Sequence, residues 1–291
     1  MRVAVTGSTG FLGSRLVPDL EADGHDVVRV TRPSVWDPEA GTIDVAAFEG
    51  LDAVVHLAGE GIAERRWSDE QKRRILESRT KGTTLLAETL AGLSDKPAVL
   101  LSASAMGIYG DRGVEELTET SPPGDGFLPD VCRAWEAAAR PAVDAGIRTA
   151  FLRTGLVLDA GGGALAKMLP LFKLGLGGRM GRGDQWWSWI SVDDWVGAVR
   201  FLLTHDVAGP VNLTGPEPVT NADFTDALGA VLRRPTALRV PSFGPKLLLG
   251  SELAHDLLFT SLRVLPEVLE REEYPFAHRD VTSALRGVLR T

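Results

Sequence analysis

What this chain lacks narrows the field before anything it contains. It has one cysteine, Cys132, which excludes an internal disulfide framework and a cysteine-based zinc site. No apolar run approaches the roughly 20 residues of a membrane-spanning helix, so no membrane span is expected. There is no long basic cluster; Lys72-Arg73-Arg74 reads as a solvated helix face. With a formal net charge of −8, a nucleic-acid or anionic-membrane surface is not expected as the main role. The first residues already read as a core strand, with no basic leader and no small-residue cleavage site, so no signal peptide is expected and a reducing cytoplasm fits. Tyrosine is scarce, with only Tyr109 and Tyr274 in 291 residues. Repeats and low-complexity tracts are missing too. What remains, 44% hydrophobic with a mean hydropathy of +0.02, suits one large α/β domain or two smaller units.

The most informative stretch is residues 3–13, Val-Ala-Val-Thr-Gly-Ser-Thr-Gly-Phe-Leu-Gly. A β-branched run leads into Gly7, Gly10 and Gly13, and an amphipathic run follows at once. This is strand, tight turn, helix. Gly7 permits the turn because glycine takes positive φ cheaply. Gly10 removes a side chain where a pyrophosphate would approach, and Gly13 lets the helix pack close on the strand. The helix N-terminus would then aim free N–H groups and a partial positive charge at the phosphates. The spacing is Gly-x-x-Gly-x-x-Gly, and its place between strand and helix is what points to a dinucleotide.

Along the chain, strands are expected at residues 2–6, 26–30, 52–57, 98–102 and 148–153, with helices at 11–23, 68–90 and 128–145 between them. A short strand near Ile43 is also expected. Ser68-Asp69-Glu70-Gln71 is a capping box, Gly82 weakens the helix it opens, and Pro141 bends or splits the last helix. Strict alternation of strand and helix predicts a Rossmann-type, doubly wound parallel sheet. After residue 160 the composition changes, which suggests a nucleotide-binding domain of residues 1–160 and a smaller C-terminal α/β cap of residues 161–291, with a strand near Val211 rejoining the sheet. At the end of the second strand a dinucleotide fold meets the adenine ribose. No acidic residue lies between Val27 and Val35, and Arg32 stands there instead. A guanidinium suits a 2′-phosphate, so NADP(H) is favoured over NAD(H), the alternative being a solvated surface arginine. Ala58-Gly59 would let the backbone lie against that cofactor. His56 reads as a packed strand histidine and Cys132 as a small buried hydrophobe.

On these residues the chain resembles the extended short-chain dehydrogenase/reductases over its whole length. The carriers are residues 6–13, His56-Leu57-Ala58-Gly59, the segment 102–110, Arg153-Thr154-Gly155 and Ile190-Ser191-Val192-Asp193-Asp194. Within that superfamily it resembles the NAD-dependent epimerase/dehydratase-like "epimerase family" branch that has its own C-terminal domain. Trp135-Glu136-Ala137-Ala138-Ala139, Leu174-Gly175-Leu176-Gly177-Gly178 and Arg263-Val264-Leu265-Pro266 carry that closer likeness. The resemblance implies that Gly7, Thr9, Gly10, Phe11, Leu12 and Gly13 hold the cofactor from the first turn, and Thr31 and Arg32 from the second strand. It adds Leu57, Ala58 and Gly59 after the next strand, and Arg79, Ser102 and Thr154. Arg79 would either bind a cofactor phosphate or supply a cation to the chemistry.

The chain departs from the superfamily where the proton donor should be. The usual Tyr-x-x-x-Lys is absent everywhere: four residues after the two tyrosines stand Gly113 and His278. Matching Glu136 to the glutamate after the usual lysine puts Cys132 at the lysine and Leu128 at the tyrosine. Ser104 and Tyr109 are the replacement candidates, a hydroxyl to orient a carbonyl and a phenol to give the proton; a packed Tyr-Gly turn is the other reading of Tyr109. Trp186, Trp187 and Trp189 either wall a pocket or pack a core. No metal site is expected. Two functions stay open. One is an NADP(H)-binding oxidoreductase or epimerase-like enzyme with an atypical active site, acting on a small molecule such as a nucleotide sugar or a carbonyl compound. The other is a non-catalytic NADP(H)-dependent regulatory protein. Analogy with the superfamily suggests a homodimer through helices 68–90 and 128–145.

Overall fold

A computed structural model describes residues 1–290; Thr291, the last residue of the expected cap, lies outside the described residues. Six parallel strands form the central sheet: β1 (Arg2–Thr6), β2 (Asp26–Val30), β3 (Ala53–His56), β4 (Val99–Ala105), β5 (Arg148–Thr154) and β6 (Gly209–Leu213). Their spatial order is β6-β5-β4-β3-β1-β2. The order reverses between β1 and β3, and the crevice at such a reversal is where open α/β sheets bind ligands.

Both faces are covered, so central strands read as continuous apolar runs. Helices α1 (Gly13–Ala22) and α6 (Val192–Thr204) lie on one face, where Leu16, Leu20, Trp195, Val199 and Leu202 meet Val3, Val55, Leu101 and Leu152. Helices α2 (Asp69–Gly92), α3 (Phe127–Ala138) and α4 (Arg140–Asp144) lie on the other, where Leu86, Leu90, Ala139 and Ala142 meet Ala4, Val54 and Leu100. The Rossmann-type sheet is the one expected. Ser68 caps α2 by accepting from the Gln71 amide at 3.2 Å, and Pro141 sits in the first turn of α4, where its missing N–H costs nothing. Gly82 is buried inside α2 because Trp36 crosses there: a Cβ would stand 3.1 Å from the indole Cη2. Ile43 belongs to a two-residue ribbon, Thr42–Ile43 against Trp36–Asp37.

Strand β4 runs three residues further than its apolar run suggested, so Ser104 lies in the sheet, in register with Arg153 on β5. The C-terminal residues build a second core around Leu158, Leu165, Phe172, Trp187, Trp189 and Phe224. Helices α5 (Gly163–Lys173), α7 (Asn221–Leu232) and α8 (Val281–Leu289) surround it. Short ribbons stitch it together, among them Gly178–Met180 with Leu238–Val240 and Trp189–Ser191 with Leu156–Leu158. The Asp194 carboxylate fastens the end of the chain to α6: it accepts from the Ala277 amide at 2.7 Å and the His278 amide at 3.1 Å.

Candidate functional site

The turn after β1 is shaped by close approach. Gly7 has φ +66°, and a Cβ on it would lie 3.0 Å from the Ala58 amide nitrogen. A Cβ on Gly13 would overlap the Gly7 carbonyl and lie 2.7 Å from Ser8 Cα, so only glycine lets α1 start here. Gly10 differs from both. It is exposed, and apart from the Gly7 carbonyl at 3.2 Å nothing stands within 4 Å of where its Cβ would be. No side chain caps α1 at Leu12; the Ser14 and Arg15 amides bond the Gly10 and Leu12 carbonyls, at 2.9 and 3.1 Å, so the N–H groups with no backbone partner at this helix start are those of Phe11, Leu12 and Gly13.

These residues form one wall of a cleft of about 490 Å³ whose other walls are Val30, Thr31, Arg32, Trp36 and the Leu57-Ala58-Gly59 turn. Eight residues expected to hold a cofactor therefore meet in one place: Gly7, Thr9, Gly10, Thr31, Arg32, Leu57, Ala58 and Gly59. Arg32 is exposed at the rim and has no carboxylate partner among the described residues. The Ser8 hydroxyl is buried beside the turn with no hydrogen-bond partner in the protein. An open glycine, an orphaned hydroxyl, an uncapped helix start and a rim guanidinium together fit a phosphorylated dinucleotide. Sequence reasoning missed Ser8 and Trp36; Ser8 was within reach, since it lies inside the glycine motif.

The remaining expected cofactor residues stand apart from this cleft. Gly13 is buried beneath the turn, and the Phe11 ring lies where Cβ atoms on Gly162 and Gly163 would fall. Ser102 is wholly buried and its hydroxyl has no partner in the protein. Thr154 accepts from Trp195 Nε1 at 3.2 Å. Arg79 lies behind Gly59, donating Nη1 to the Glu60 carbonyl at 2.9 Å with its guanidinium 4.8 Å from the Trp135 ring centroid. His56 is a packing residue: Nδ1 lies 2.8 Å from Thr6 Oγ1 and Nε2 3.0 Å from Thr83 Oγ1, and burial pushes its pKa down to about 4. It therefore stays neutral near pH 7.

The two candidate catalytic groups are buried and hydrogen-bonded within the protein. Tyr109 is fully buried; its hydroxyl donates to Asn212 Oδ1 at 2.7 Å and accepts from Arg153 Nη1 at 3.0 Å. Burial raises the Tyr109 pKa despite the neighbouring Arg153. Ser104 donates to Glu136 Oε1 at 2.7 Å. Arg153 closes the network on the same carboxylate; burial works against its charge, but the hydrogen bonds to Glu136 more than offset that and raise its pKa. Cys132, at the expected lysine position, is buried, and its thiol is pushed up to about 12 by burial and then by Glu136. Of the three tryptophans, Trp187 and Trp189 are core residues, and Trp186 is half-buried with the Arg263 guanidinium 4.5 Å from its ring centroid.

A smaller cleft of about 260 Å³ opens beside β4, between Gly107, Gly110 and Leu128 on the sheet side and His255, Asp256 and Thr260 on the C-terminal side. Burial raises the Asp256 pKa. Nearby, an ion pair between Lys72 of α2 and Glu252 and a hydrogen bond from Arg66 to the Leu247 carbonyl tie the C-terminal residues to the start of α2. Among the described residues no group of His, Cys, Asp and Glu is placed to hold a metal, and no helix is long and apolar enough to cross a membrane.

The family model for the NAD dependent epimerase/dehydratase family matches residues 3–214. The chain belongs to that family. A second model, a domain of unknown function (DUF1731), matches residues 240–288, so the family resemblance seen in the motifs extends to the C-terminal part. An epimerase family protein of Mycobacterium tuberculosis is 42% identical over 97% of this chain and 96% of its own length. The crystal structure of human epimerase family protein SDR39U1 with NADPH has a TM-score of 0.92 and 33% identity, covering 100% of both chains. The nucleoside-diphosphate sugar epimerase of Corynebacterium glutamicum has a TM-score of 0.80 and 39% identity over 99% of this chain and 58% of its own.

Proposed function

We propose that this family member binds NADP(H) at the glycine turn and works as an oxidoreductase or epimerase-like enzyme whose active site is not built on a Tyr-x-x-x-Lys pair. The observation that carries the reading is the cleft of about 490 Å³ with Arg32 at its rim. Arg32 would meet the 2′-phosphate, while Gly10 and the first amides of α1 would meet the pyrophosphate. Ser8 would give its unpaired hydroxyl to the same phosphates. That a human relative was crystallised with NADPH supports the same cofactor here. When bound, NADPH supplies a hydride. The smaller cleft would take the substrate, a carbonyl compound or a nucleotide sugar, and Asp256 on its wall would hold the proton at its carboxyl. Residues 1–160 would then carry the cofactor and share the substrate with the later residues, in a reducing cytoplasm that suits the free Cys132.

A second reading, an NADP(H)-dependent regulatory protein without turnover, is favoured by Tyr109, Ser104 and Cys132 all being committed to the core. The test is to titrate the purified protein with NADPH and NADH, then incubate it with NADPH and panels of carbonyl compounds and nucleotide sugars. Consumption of NADPH or a rearranged sugar, abolished by Asp256→Asn, supports the enzyme. Tight NADPH binding with no turnover across both panels supports the regulator. Failure to bind NADPH removes both.

A further inference from the structure

We propose that the ribbon and helix ends at the outer edge of the C-terminal part form a docking surface for an anionic lipid membrane. Net charge averages over the whole chain and conceals this patch. Residues 160–183 and 227–251 hold eight of the 31 lysines and arginines and no aspartate or glutamate; Asp184, Asp226 and Glu252 flank them, and Asp226 accepts from Thr236 Oγ1 at 3.2 Å beside the ribbon. The fold brings the two stretches together: Gly178–Met180 pairs with Leu238–Val240, and Gly175 lies against Pro235. Arg182 is paired with Asp184; the other seven cations have no carboxylate partner among the described residues.

The same two stretches carry six of the ten most exposed large hydrophobic side chains among the described residues. Leu171 lies in the last turn of α5, Leu174 and Leu176 follow it, and Leu238 stands opposite Gly178 in the ribbon. Beyond the other end of the ribbon, Phe243 and Leu247 are 71% and 75% exposed. Four residues apart on the helix Phe243–Leu249, they share one of its faces. Leaving such side chains in water is unfavourable, and clustering marks a surface that something covers.

The charge decides what covers it. A second copy applied face to face would set cation against cation, since a two-fold contact uses the same patch twice. Leucine and phenylalanine among uncompensated lysines and arginines are what an interface of anionic headgroups over acyl chains accepts: the apolar groups enter the boundary and the cations stay at the phosphates. Both contributions are needed, because few apolar side chains alone hold a protein only weakly.

The experiment is co-sedimentation of the full chain with vesicles of equimolar phosphatidylglycerol and phosphatidylcholine, and with phosphatidylcholine alone. The expected result is binding to the first and not the second, weakened by added salt. Lys173→Glu with Arg234→Glu and Arg239→Glu should weaken it by about tenfold or more, and Leu174→Ser with Leu176→Ser and Phe243→Ser should do likewise. Both triple variants should keep the parent's melting temperature and NADPH affinity, which separates this surface from the cofactor cleft. Any of three results overturns the proposal: no binding to anionic vesicles, binding that survives both variants, or a dimer in sedimentation equilibrium that the charge variant dissolves. Equal capture by soluble polyglutamate that ignores the leucine changes would also overturn it and assign the patch to an acidic polypeptide.

Discussion

Arg153 grips Glu136 through two parallel hydrogen bonds, Nε to Oε1 at 2.9 Å and Nη2 to Oε2 at 3.0 Å, with both side chains almost out of water. Removing one member of such a buried pair strands the other charge and costs about 3–5 kcal/mol. Glu136→Ala should therefore lower stability by that order in urea denaturation. Ser104→Ala, which removes one hydrogen bond to the same carboxylate, should cost nearer 1 kcal/mol. A Glu136→Ala protein within measurement error of the parent would show that the pair is not a structural joint.

Tyr109 belongs to the same joint. Tyr109→Phe leaves Asn212 Oδ1 and Arg153 Nη1 each short of a partner in a buried site, at a cost of about 1–3 kcal/mol. Its melting temperature should fall while NADPH affinity and turnover per folded molecule hold. If instead turnover falls 10²- to 10⁴-fold at unchanged stability, the phenol is the proton donor after all.

Arg32 and Gly10 should separate two parts of one ligand. Arg32→Ala should weaken NADPH by about 1–3 kcal/mol, the range for a charge-assisted hydrogen bond, and leave NADH nearly unchanged. Gly10→Val should abolish both at an unaltered melting temperature, because the space around it is open to the cleft and not to the core. Isothermal titration checks each; equal NADPH and NADH affinity in the parent would dismiss Arg32 as the discriminating residue.

His56 makes the fold sensitive to acid. Its folded pKa of about 4 lies below the ordinary value of 6.5, so the unfolded chain binds the proton more readily. Stability from this group is full above pH 6.5 and is lost as pH falls toward 4. Between pH 7 and pH 5 that loss is about 2 kcal/mol. Urea midpoints at the two pH values should show it in the parent, and His56→Asn should show a smaller drop. A variant as acid-sensitive as the parent would mean that other groups carry the effect.

Local pattern was enough for much of this. The three glycines, the capping box at Ser68 and the alternation of strand with helix act over a few residues, and each has one favourable backbone solution. Arg32 was legible for the same reason, since its place at a strand end follows from that pattern. Ser104 and Tyr109 were not. Their residue types suit proton chemistry, but their hydroxyls are spoken for by Glu136, Asn212 and Arg153, which come from other elements. In the sequence Gly82 only weakens a helix, and the Trp36 ring crossing there gives it a purpose.

The order of residues alone determined the sheet, the glycine turn after β1 and the absence of the usual tyrosine and lysine, because strand, turn and helix preferences are settled among near neighbours. Tertiary structure decided which polar groups stay available. Availability depends on burial and on partners far away in sequence, such as Arg153 for Tyr109, and these exist only once β4, β5 and α3 have packed together. It also decided where charge collects, by laying two separate acid-free stretches side by side in one ribbon.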